Sequence, residues 1–453
     1  MTRTDTTATS RGLVLTVMCT GYFLVLLDVT VVNVALPTIG TGLGAGVAGL
    51  QWVVDGYALA LAALLLAGGT VGDRWGHKRV VLVGMLVFGV ASLGCAVAPV
   101  TGVLIAARAV QGIGAALLLP GTLAIVSRAY PGPGEQARAI GVWAGIGSVA
   151  LPAGPLLGGL LVDGPGWRWV FAINVPIVVI AGLVTLRRVN DDAGHSERRL
   201  DSPGTVLVVI GLAAATFTII QAGHAGLGTT VVAGAVVAVA AFCGLVAAER
   251  RVAEPLLPPD VFRRPAFVAA NAVAGCMNLG TLGLLFLLTL YLQTVQHRPA
   301  LLAGLAVLPL FLPLSLLAPF AGRLTGRVGA KPVMITGLVV AAVGVGLLST
   351  WEAHSAYLAL LPAMLCWGIG LGLLTPAVVA ASIAAAPGDR SGLASGMNNT
   401  ARQAGGAIGI AAYGAIAGQP DSGHFVTGLH VTGLGTAALF AAAALATVAL
   451  VPR

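Results

Sequence analysis

The segment GTVGDRWGHK (69–78) recurs as GRLTGRVGAK (322–331), and the two copies hold the only lysines of the chain. Gly, Arg, Gly and Lys stand in register between the copies, at an offset of 253 residues. A second pair of segments, GIGAALLLP (112–120) and GIGLGLLTP (368–376), repeats at an offset of 256 residues. Two independent matches at nearly one offset predict an internally duplicated protein.

The residues around these segments are too apolar for a soluble globular protein. Hydrophobic residues make up 57% of the 453 positions, charged residues make up 9%, and the mean hydropathy is +0.96. Apolar runs of about 20 residues are long enough to cross a bilayer as helices. We therefore predict an all-α integral membrane protein with fourteen spans, near 13–35, 50–70, 79–98, 102–125, 138–161, 168–186, 203–222, 228–248, 266–291, 300–321, 332–350, 356–378, 393–416 and 429–450.

Most of the basic residues lie on one side of the membrane in this arrangement of spans. Of the 24 Lys and Arg residues, twenty lie in the two terminal segments and in alternate loops on the same side. Arg168 and Arg298 lie in loops on the other side, and Arg108 and Arg402 lie within spans. This bias predicts an even number of spans with both termini in the cytoplasm. The net charge of +8 then faces anionic headgroups of membrane lipids, and no nucleic-acid partner is expected.

The repeats divide the chain into two halves. Spans 1 to 6 and 9 to 14 are the predicted copies, and spans 7 and 8 are inserted between them. Both copies start on the same side, so they are parallel repeats with a central pathway between them. We predict a cytoplasmic tail at 1–12, a six-helix bundle at 13–190, two linker helices with flanking loops at 191–262 and a second six-helix bundle at 263–453.

Five motifs resemble the signature set of the major facilitator superfamily, and within it the 14-span drug:proton antiporters. They are LLDVTVVNVALP (26–37), the loop at 69–79, LIAARAVQGIGAA (104–116), GSVALPAGPLLGG (147–159) and WRWVFAINVP (167–176). The resemblance implies the major facilitator fold, with two six-helix bundles plus two inserted helices. It also implies export of amphipathic small molecules, such as drugs, antibiotics or dyes, by alternating access.

The resemblance further implies that proton influx drives this multidrug efflux and that the protein lies in the bacterial cytoplasmic membrane. We expect it to function as a monomer. Two positions depart from the family pattern: His77 stands where the loop motif usually has arginine, and Gly326 replaces the acidic residue of the second copy. The second departure predicts a weaker latch in the second half.

Three charged residues lie at one depth inside the predicted spans. At 1.5 Å per residue, Asp28 lies roughly 10 Å from the outer end of span 1, Asp55 roughly 8 Å into span 2 and Arg108 roughly 10 Å into span 4. A charge at the bilayer centre costs about 2.5 to 3.5 kcal/mol on insertion scales, so such residues are candidates for function. We expect a titratable cluster in which Asp28 is the main proton carrier and Arg108 its counter-charge. Asp55 is then a proton site or a site for a cationic substrate.

Each of these three residues has a simpler structural interpretation. Asp28 could be a helix-end residue hydrogen-bonded by Thr30 or Asn33. Asp55 could be a solvated carboxylate near the outer interface, and Arg108 could be a purely structural ion-pair partner.

A polar stretch in span 13 predicts the wall of a substrate cavity. Arg402 lies roughly 14 Å into this span, where amides could bind neutral or zwitterionic compounds. The alternative is hydrogen bonding between helices without substrate contact. The predicted cavity residues are Asn33, Gln111, Asn398, Asn399, Arg402 and Gln403.

Two further motifs predict moving parts. The loop after span 2 could form a cytoplasmic latch in which Asp73 pairs with Arg74, Arg79 or a helix N-terminus, although it could also be a mere topological anchor. The predicted latch residues are Gly69, Asp73, Arg74, Gly76, Lys78 and Arg79. Span 5 resembles the helix that accompanies export in the family, although glycine and proline are common in membrane helices. Its residues are Gly147, Pro152, Gly154, Pro155, Gly158 and Gly159.

The sequence lacks the residues that several other classes of protein require. No Gly-x-x-x-x-Gly-Lys-Ser/Thr loop is present, so no intrinsic ATPase is expected. The seven histidines show no metal-ligand spacing and no nucleophile–base pair is evident, so we expect no enzyme activity, no metal and no cofactor. The remaining alternatives are a proton-coupled uptake transporter or a lipid or metabolite transporter of the same fold, and a passive facilitator or channel.

Overall fold

The computed structural model describes residues 3–190, 201–251, 260–386, 391–420 and 422–452. Within these ranges the chain is helical and contains no β-strand. The α-helices are α1 Arg3–Leu43, α2 Val47–Trp75, α3 His77–Ala96, α4 Thr101–Ala129, α5 Pro133–Asp163, α6 Trp169–Ala172, α7 Asn174–Arg188, α8 Ser202–Ala225, α9 Thr229–Glu249, α10 Pro265–Leu290, α11 Ala300–Ala306, α12 Leu308–Val328, α13 Ala330–Gly346, α14 Tyr357–Ala385, α15 Ser391–Ala417 and α16 Phe425–Leu450. Short 3-10 or π turns at Val261–Arg263, Tyr291–Val295 and Leu347–Thr350 complete the helical structure.

The number of helices agrees with the fourteen predicted spans. Among the described residues, 13 helical segments are long and apolar enough to cross a membrane, with α6 and α7 together forming one of them. The helix α15 is not in that set because Arg402 and its polar neighbours lower its hydropathy. It is nevertheless 27 residues long and packs against α10 and α2, so it supplies the fourteenth span.

Two predicted spans are broken and the first helix starts early. Span 6 consists of α6 and α7, which meet at Ile173, and span 10 consists of α11 and α12, which meet at Val307. Pro309 stands in the first turn of α12, where its missing N–H costs no intrahelical hydrogen bond. The helix α1 begins at Arg3, inside the segment 1–12 that was expected to precede the first span.

The same helix pairs pack together in both halves of the chain. In the first half, α1 packs on α5, α2 on α4, and α3 on both α4 and α7. In the second half, α10 packs on α15, α12 on α14, and α13 on both α14 and α16. These are equivalent pairs when α10 is aligned with α1, so the packing repeats as the sequence does.

The two inserted helices pack on each other, and α8 also packs against both halves. The helix α8 contacts α9, α2 and α15. Val208 and Leu212 of α8 share an apolar cluster with Leu59 of α2 and Ala407 of α15. Thus α8 covers the line along which α2 and α15 meet. The segments 191–200 and 252–259, which belong to the predicted loops that flank the two linker helices, lie outside the described residues, as do Arg390 and Arg453.

Candidate functional site

The helices alternate in direction, which defines two sides of the molecule. We call the side on which α1 begins and α16 ends the termini side; the turns at Gly76 and Gly329 lie there. The loop residues 44–46, 164–168, 418–420 and 422–424 lie on the opposite side.

A buried ion pair joins α1 and α4 near the middle of the first bundle. Arg108 donates from Nη1 to Oδ2 of Asp28, and both residues are 0% exposed. The same Nη1 donates to Gln111 Oε1 at 2.7 Å, while Nε donates to the Val53 carbonyl oxygen of α2 at 3.1 Å. The guanidinium is therefore held by three helices, and only one of its partners is ionic.

Gln111 completes the shell of the Asp28 carboxylate. Its Nε2 donates to Asp28 Oδ1 at 3.0 Å and to Ser92 Oγ of α3 at 2.9 Å. Gln111 was expected in the substrate cavity, but it is fully buried in this cluster. We call Asp28, Arg108, Gln111 and Ser92 the carboxylate cluster.

Aromatic rings surround the guanidinium of the carboxylate cluster. The Arg108 Cζ lies 4.3 Å from the ring centroid of Tyr57 and 5.7 Å from that of Phe171. Such contacts stabilise a cation by the ring quadrupole and exclude water from it. Because burial removes solvent screening, the charge of Arg108 acts strongly on Asp28.

The simpler interpretation of Asp28 as a helix-end residue is wrong. The hydroxyl of Thr30 donates to the Leu27 carbonyl oxygen at 3.1 Å, and Nδ2 of Asn33 donates to the Val29 carbonyl oxygen at 2.9 Å. Both polar side chains thus bond to their own helix, and the partners of Asp28 lie on α4.

Asp55 lies apart from the carboxylate cluster. It is 0% exposed, and neither carboxylate oxygen has a hydrogen-bond partner within the described part of the chain. It stands one helical turn from Gln51, which bonds to α15, and one turn from Leu59, which packs on α8. The expected three-residue cluster is therefore a pair plus a separate carboxylate, because Asp55 lies on another face of α2.

The polar stretch of α15 faces the second bundle and the centre. Arg402 donates from Nε to Asn278 Oδ1 of α10 in a long hydrogen bond of 3.5 Å. Among the described residues, no carboxylate pairs with Arg402. Asn399, one turn away, is exposed, whereas Asn398 is 1% exposed and its amide has no partner within the described ranges. Gln403 is half-buried.

A stacked aromatic pair lies beside Arg402 and was missed from the sequence. The rings of Tyr22 on α1 and Trp143 on α5 have centroids 3.7 Å apart and an interplanar angle of 12°. Gly147 of the predicted export helix lies against Tyr22 so closely that a Cβ would overlap the ring. Tyr22 also interacts electrostatically with Arg402. We call Tyr22, Trp143 and Arg402 the aromatic–arginine site.

On the opposite side, two glutamines connect the bundles through backbone carbonyls. Gln51 of α2 donates to the carbonyl oxygens of Ile410 at 3.0 Å and Ala411 at 2.8 Å on α15. Gln293, after α10, donates to the Val34 carbonyl oxygen of α1 at 2.8 Å. A cavity of only about 10 Å³ lies beside Gln293, and Asn33 is in its wall. The centre is therefore closed toward this side.

The predicted export helix α5 reinforces this closure. Asp163 at its end accepts hydrogen bonds from the backbone N–H groups of Ala300 at 3.2 Å and Leu301 at 2.8 Å. A Cβ at Gly159 would overlap the backbone of Leu301, and one at Gly304 would overlap Pro155. The helices α5 and α11 thus touch through their backbones.

Two other glycines of α5 allow α1 to pack closely against it in the same way. Gly154 lies against Thr30, and Gly158 lies against Val31 and Val34. Pro152 and Pro155 stand within α5, which runs unbroken from Pro133 to Asp163.

On the termini side, the Asp73 carboxylate contacts a histidine and neither of the two arginines that were predicted to pair with it. Asp73 pairs with His77, with Oδ1 and Nε2 3.3 Å apart, while Arg74 and Arg79 are exposed. The turn at Gly76 brings His77, the first residue of α3, back against the end of α2, where its ring also lies beside Gly72. Gly76 joins the two helices with φ = 89°.

The equivalent turn of the second copy has the same backbone form. Gly329 joins α12 to α13 with φ = 86°, which L-residues rarely adopt. The matching glycines of the two copies therefore make matching helix–helix turns.

Comparison with known proteins identifies the family. The sequence profile described as Major Facilitator Superfamily matches residues 18–410. The chain belongs to the major facilitator superfamily. Among curated relatives, multidrug resistance protein Stp of Mycobacterium tuberculosis is 35% identical over 90% of this chain and 76% of that protein. The methylenomycin A resistance protein of Streptomyces coelicolor is 36% identical over 89% of this chain and 85% of that protein. The puromycin resistance protein pur8 of Streptomyces alboniger is 37% identical over 89% of this chain and 81% of that protein.

Solved structures support the same fold for this major facilitator protein. A bacterial homologue of the human drug peptide transporters PepT1 and PepT2 aligns over 97% of both chains with a TM-score of 0.63 and 16% identity. A mutant of the nucleoside transporter NupG aligns over 97% of this chain and 99% of that chain with a TM-score of 0.67 and 12% identity. At these identities the likeness shows the fold alone. The protein is thus a multi-pass membrane protein of the superfamily.

The backbone contact between α5 and α11 predicts a conformational effect of Gly304→Val. The new side chain would collide with Pro155 only while the opposite side is closed. The protein should therefore shift toward a conformation that is open on that side. An Asn33→Cys reporter should then react faster with a membrane-impermeant maleimide added from the opposite side. Gly435→Val, at an exposed position with no neighbour near its Cβ, is the matched control. Unchanged labelling in a well-folded Gly304→Val protein would contradict this assignment.

Proposed function

We propose that this protein exports amphipathic small molecules, such as drugs, antibiotics or dyes, across the bacterial cytoplasmic membrane in exchange for protons. The observation that carries the proposal is the buried Asp28–Arg108 pair, which joins α1 to α4 within the first bundle. The names of the curated relatives, which include multidrug, methylenomycin A and puromycin resistance, support export of such compounds.

The carboxylate cluster has the properties that proton exchange needs. In general, burial favours a protonated carboxyl group, whereas a nearby arginine favours the carboxylate. Arg108 also bonds to Val53 and Gln111, so it keeps polar partners when Asp28 takes up a proton. One proton moving down 100 mV supplies about 2.3 kcal/mol, enough to bias two conformations that differ by a few kcal/mol. We assign Asp28 as the main proton carrier, Arg108 as its counter-charge and Asp55 as a second, separate proton site.

The orientation follows from the positive charge of the termini side. Twenty of the 24 basic residues belong to that side by the predicted topology, so we place it in the cytoplasm with both termini. The opposite side, closed by Gln51, Gln293 and Asp163, then faces outward. This arrangement is a conformation closed to the outside, in which a substrate enters from the cytoplasm or the inner leaflet.

The aromatic–arginine site is our candidate for substrate binding. Its stacked rings offer a flat apolar surface at the interface of α1 and α5, and Arg402 adds hydrogen-bond donors from the second bundle. A compound bound there touches both bundles, as alternating access requires. Asn399 extends the same site, and Asn33 lines its path toward the opposite side. Because no carboxylate pairs with Arg402 among the described residues, hydrogen-bond acceptors fit this site better than divalent cations.

Asp28→Asn should abolish proton-coupled export. The amide keeps a similar shape but neither binds a proton nor pairs ionically with Arg108. In energised inverted vesicles, substrate addition dissipates the pH gradient if the protein is an antiporter, and this signal should vanish in the variant. Glu352→Gln, which changes a loop carboxylate on the opposite side, is the control. Intact coupling in Asp28→Asn would refute the assigned carrier, and wild-type vesicles without any proton movement would instead indicate a passive facilitator.

Trp143→Leu should weaken binding of planar substrates more than of aliphatic ones. Loss of an aromatic contact worth about 0.5 to 1.5 kcal/mol corresponds to a rise in apparent Kd of about 2- to 12-fold. Binding of a fluorescent dye to purified protein measures it, and Trp169→Leu, at a tryptophan exposed on the surface, is the control. Equal losses for both tryptophan variants would contradict the proposed site.

Asp73→Asn should slow transport without preventing folding. The substitution removes the carboxylate that contacts His77 at the turn between α2 and α3, which we propose as part of the cytoplasmic latch. The host's resistance to an antibiotic and dye panel should fall while membrane expression stays normal. Glu135→Gln, which breaks the exposed ion pair with Arg11 on the same side, is the control. Full resistance in Asp73→Asn would leave the loop as a topological anchor only.

A further inference from the structure

Two fully buried polar side chains on adjacent helices lack hydrogen-bond partners within the described ranges. They are Asp55 of α2 and Thr216 of α8, both 0% exposed, and the unbonded atoms are their side-chain oxygens. An unsatisfied buried polar group is costly, and two of them on helices that pack together call for a common explanation.

Contacts with α15 give the height of Asp55. Gln51 bonds to the carbonyl oxygen of Ile410, and the side chain of Leu66 packs against Gly396. The helices α2 and α15 run in opposite directions, so fifteen residues along α2 correspond to fourteen along α15. Asp55, four residues beyond Gln51, therefore lies at about the level of Gly406, four residues before Ile410.

Contacts with the same helix give the height of Thr216. Gly223 of α8 packs against Ala415 of α15, and the two helices run in the same direction. Thr216 stands seven residues before Gly223, which puts it level with Ile408, seven residues before Ala415. The heights of Asp55 and Thr216 thus agree to about two residues, or about 3 Å.

Helical periodicity directs both side chains into the same junction. Asp55 lies one turn from Leu59, and Thr216 lies one turn from Leu212. Leu59 and Leu212 belong to one apolar cluster with Ala407 of α15. Asp55 and Thr216 therefore occupy the next layer of this α2–α8–α15 junction toward the opposite side.

We propose that the inserted helix α8 completes a second proton site, in which Thr216 is a positioning residue for Asp55. This inference rests on the proposed function of Asp55 as a proton site. A hydroxyl both donates and accepts, so Thr216 can serve either protonation state by rotating about one bond. The two side chains are not bonded to each other in the present conformation. Where the motion of the bundles brings them within reach, the Thr216 hydroxyl donates to the Asp55 carboxylate, and it accepts from the O–H of the carboxyl group after Asp55 takes a proton from water.

The junction gives the two inserted helices a role in transport. The helix α2 belongs to the first bundle and α15 to the second, so any relative motion of the bundles changes the space in which Asp55 lies. Because α8 packs on both, it covers Asp55 while α2 and α15 are together. The proton enters and leaves when α2 and α15 separate at this level. The insert is then part of the coupling machinery and not a spacer.

A matched pair of threonines on α8 tests this proposal. Thr216→Val keeps the shape and removes the hydroxyl, whereas Thr216→Ser keeps the hydroxyl. Thr218→Val is the control, because its hydroxyl already donates to the Ala214 carbonyl oxygen at 2.7 Å and lies against Gly234 of α9. Transport in proteoliposomes is measured as substrate-driven proton movement over a range of pH.

Thr216→Val should displace the midpoint of the pH profile by about 0.4 to 1 unit, the size expected for one net hydrogen bond. The direction of the displacement reports which protonation state the hydroxyl favours. Thr216→Ser should restore the wild-type profile, and Thr218→Val should match the wild type. In an Asp55→Asn background, Thr216→Val should cause no further displacement, because the two residues act as one unit.

The outcomes separate this inference from the proposed function. A wild-type pH profile in Asp55→Asn would remove Asp55 from proton coupling and with it the basis of the second site. An altered profile in Asp55→Asn together with a Thr216→Val profile like that of Thr218→Val would overturn only the role of Thr216. If Thr216→Val does not fold, Thr216→Ala replaces it under the same criteria. Equal displacement by Thr216→Val with and without Asp55 would also refute the proposal.

Discussion

The cost of an unpaired charge in a low-dielectric interior governs the arrangement of this protein. Arg108 is fully buried, and the structure satisfies it with an ion pair, a side-chain amide, a backbone carbonyl of α2 and two aromatic rings. No single helix could provide these partners, so α1, α2 and α4 are held together at this point. The first bundle is thereby organised around a charge that can still lose its ionic partner without losing all of its bonds.

The two bundles meet in a different way, through small residues and backbone groups. Gly159 and Gly304 bring the backbones of α5 and α11 into contact, and Gln51 bonds to carbonyl oxygens of α15. Hydrogen bonds to backbone and contacts between small residues bury few charges, so breaking them costs little compared with breaking the buried ion pair. An interface of this kind can open and close while each bundle keeps its own packing.

Much of the fold could be predicted from the sequence because a membrane constrains the order of residues along the chain. The length of each apolar segment predicts a span, and the distribution of basic residues predicts the direction in which the span runs. The depth of each residue within its span also predicted that Asp28 and Arg108 lie close together, because residues at one height in neighbouring helices can meet. Depth does not give the face of a helix. For that reason Gln111 was placed in the cavity and Asp55 in the charged cluster, whereas the structure puts each of them elsewhere. The stack of Tyr22 on Trp143 joins distant parts of the chain, and their types and spacing carry no signal for it.

The helix α2 connects the two buried carboxylates. Arg108 bonds to the carbonyl oxygen of Val53, and Asp55 follows only two residues later on the opposite face of the same helix. If protonation of Asp28 moves Arg108, the change reaches α2 at Val53, within one turn of Asp55. A shift of α2 in turn alters its packing on α15 and α8, where the bundles separate. One rigid helix can therefore relate the charge of the first bundle to the opening of the interface, because the two proposed proton sites lie on its two sides.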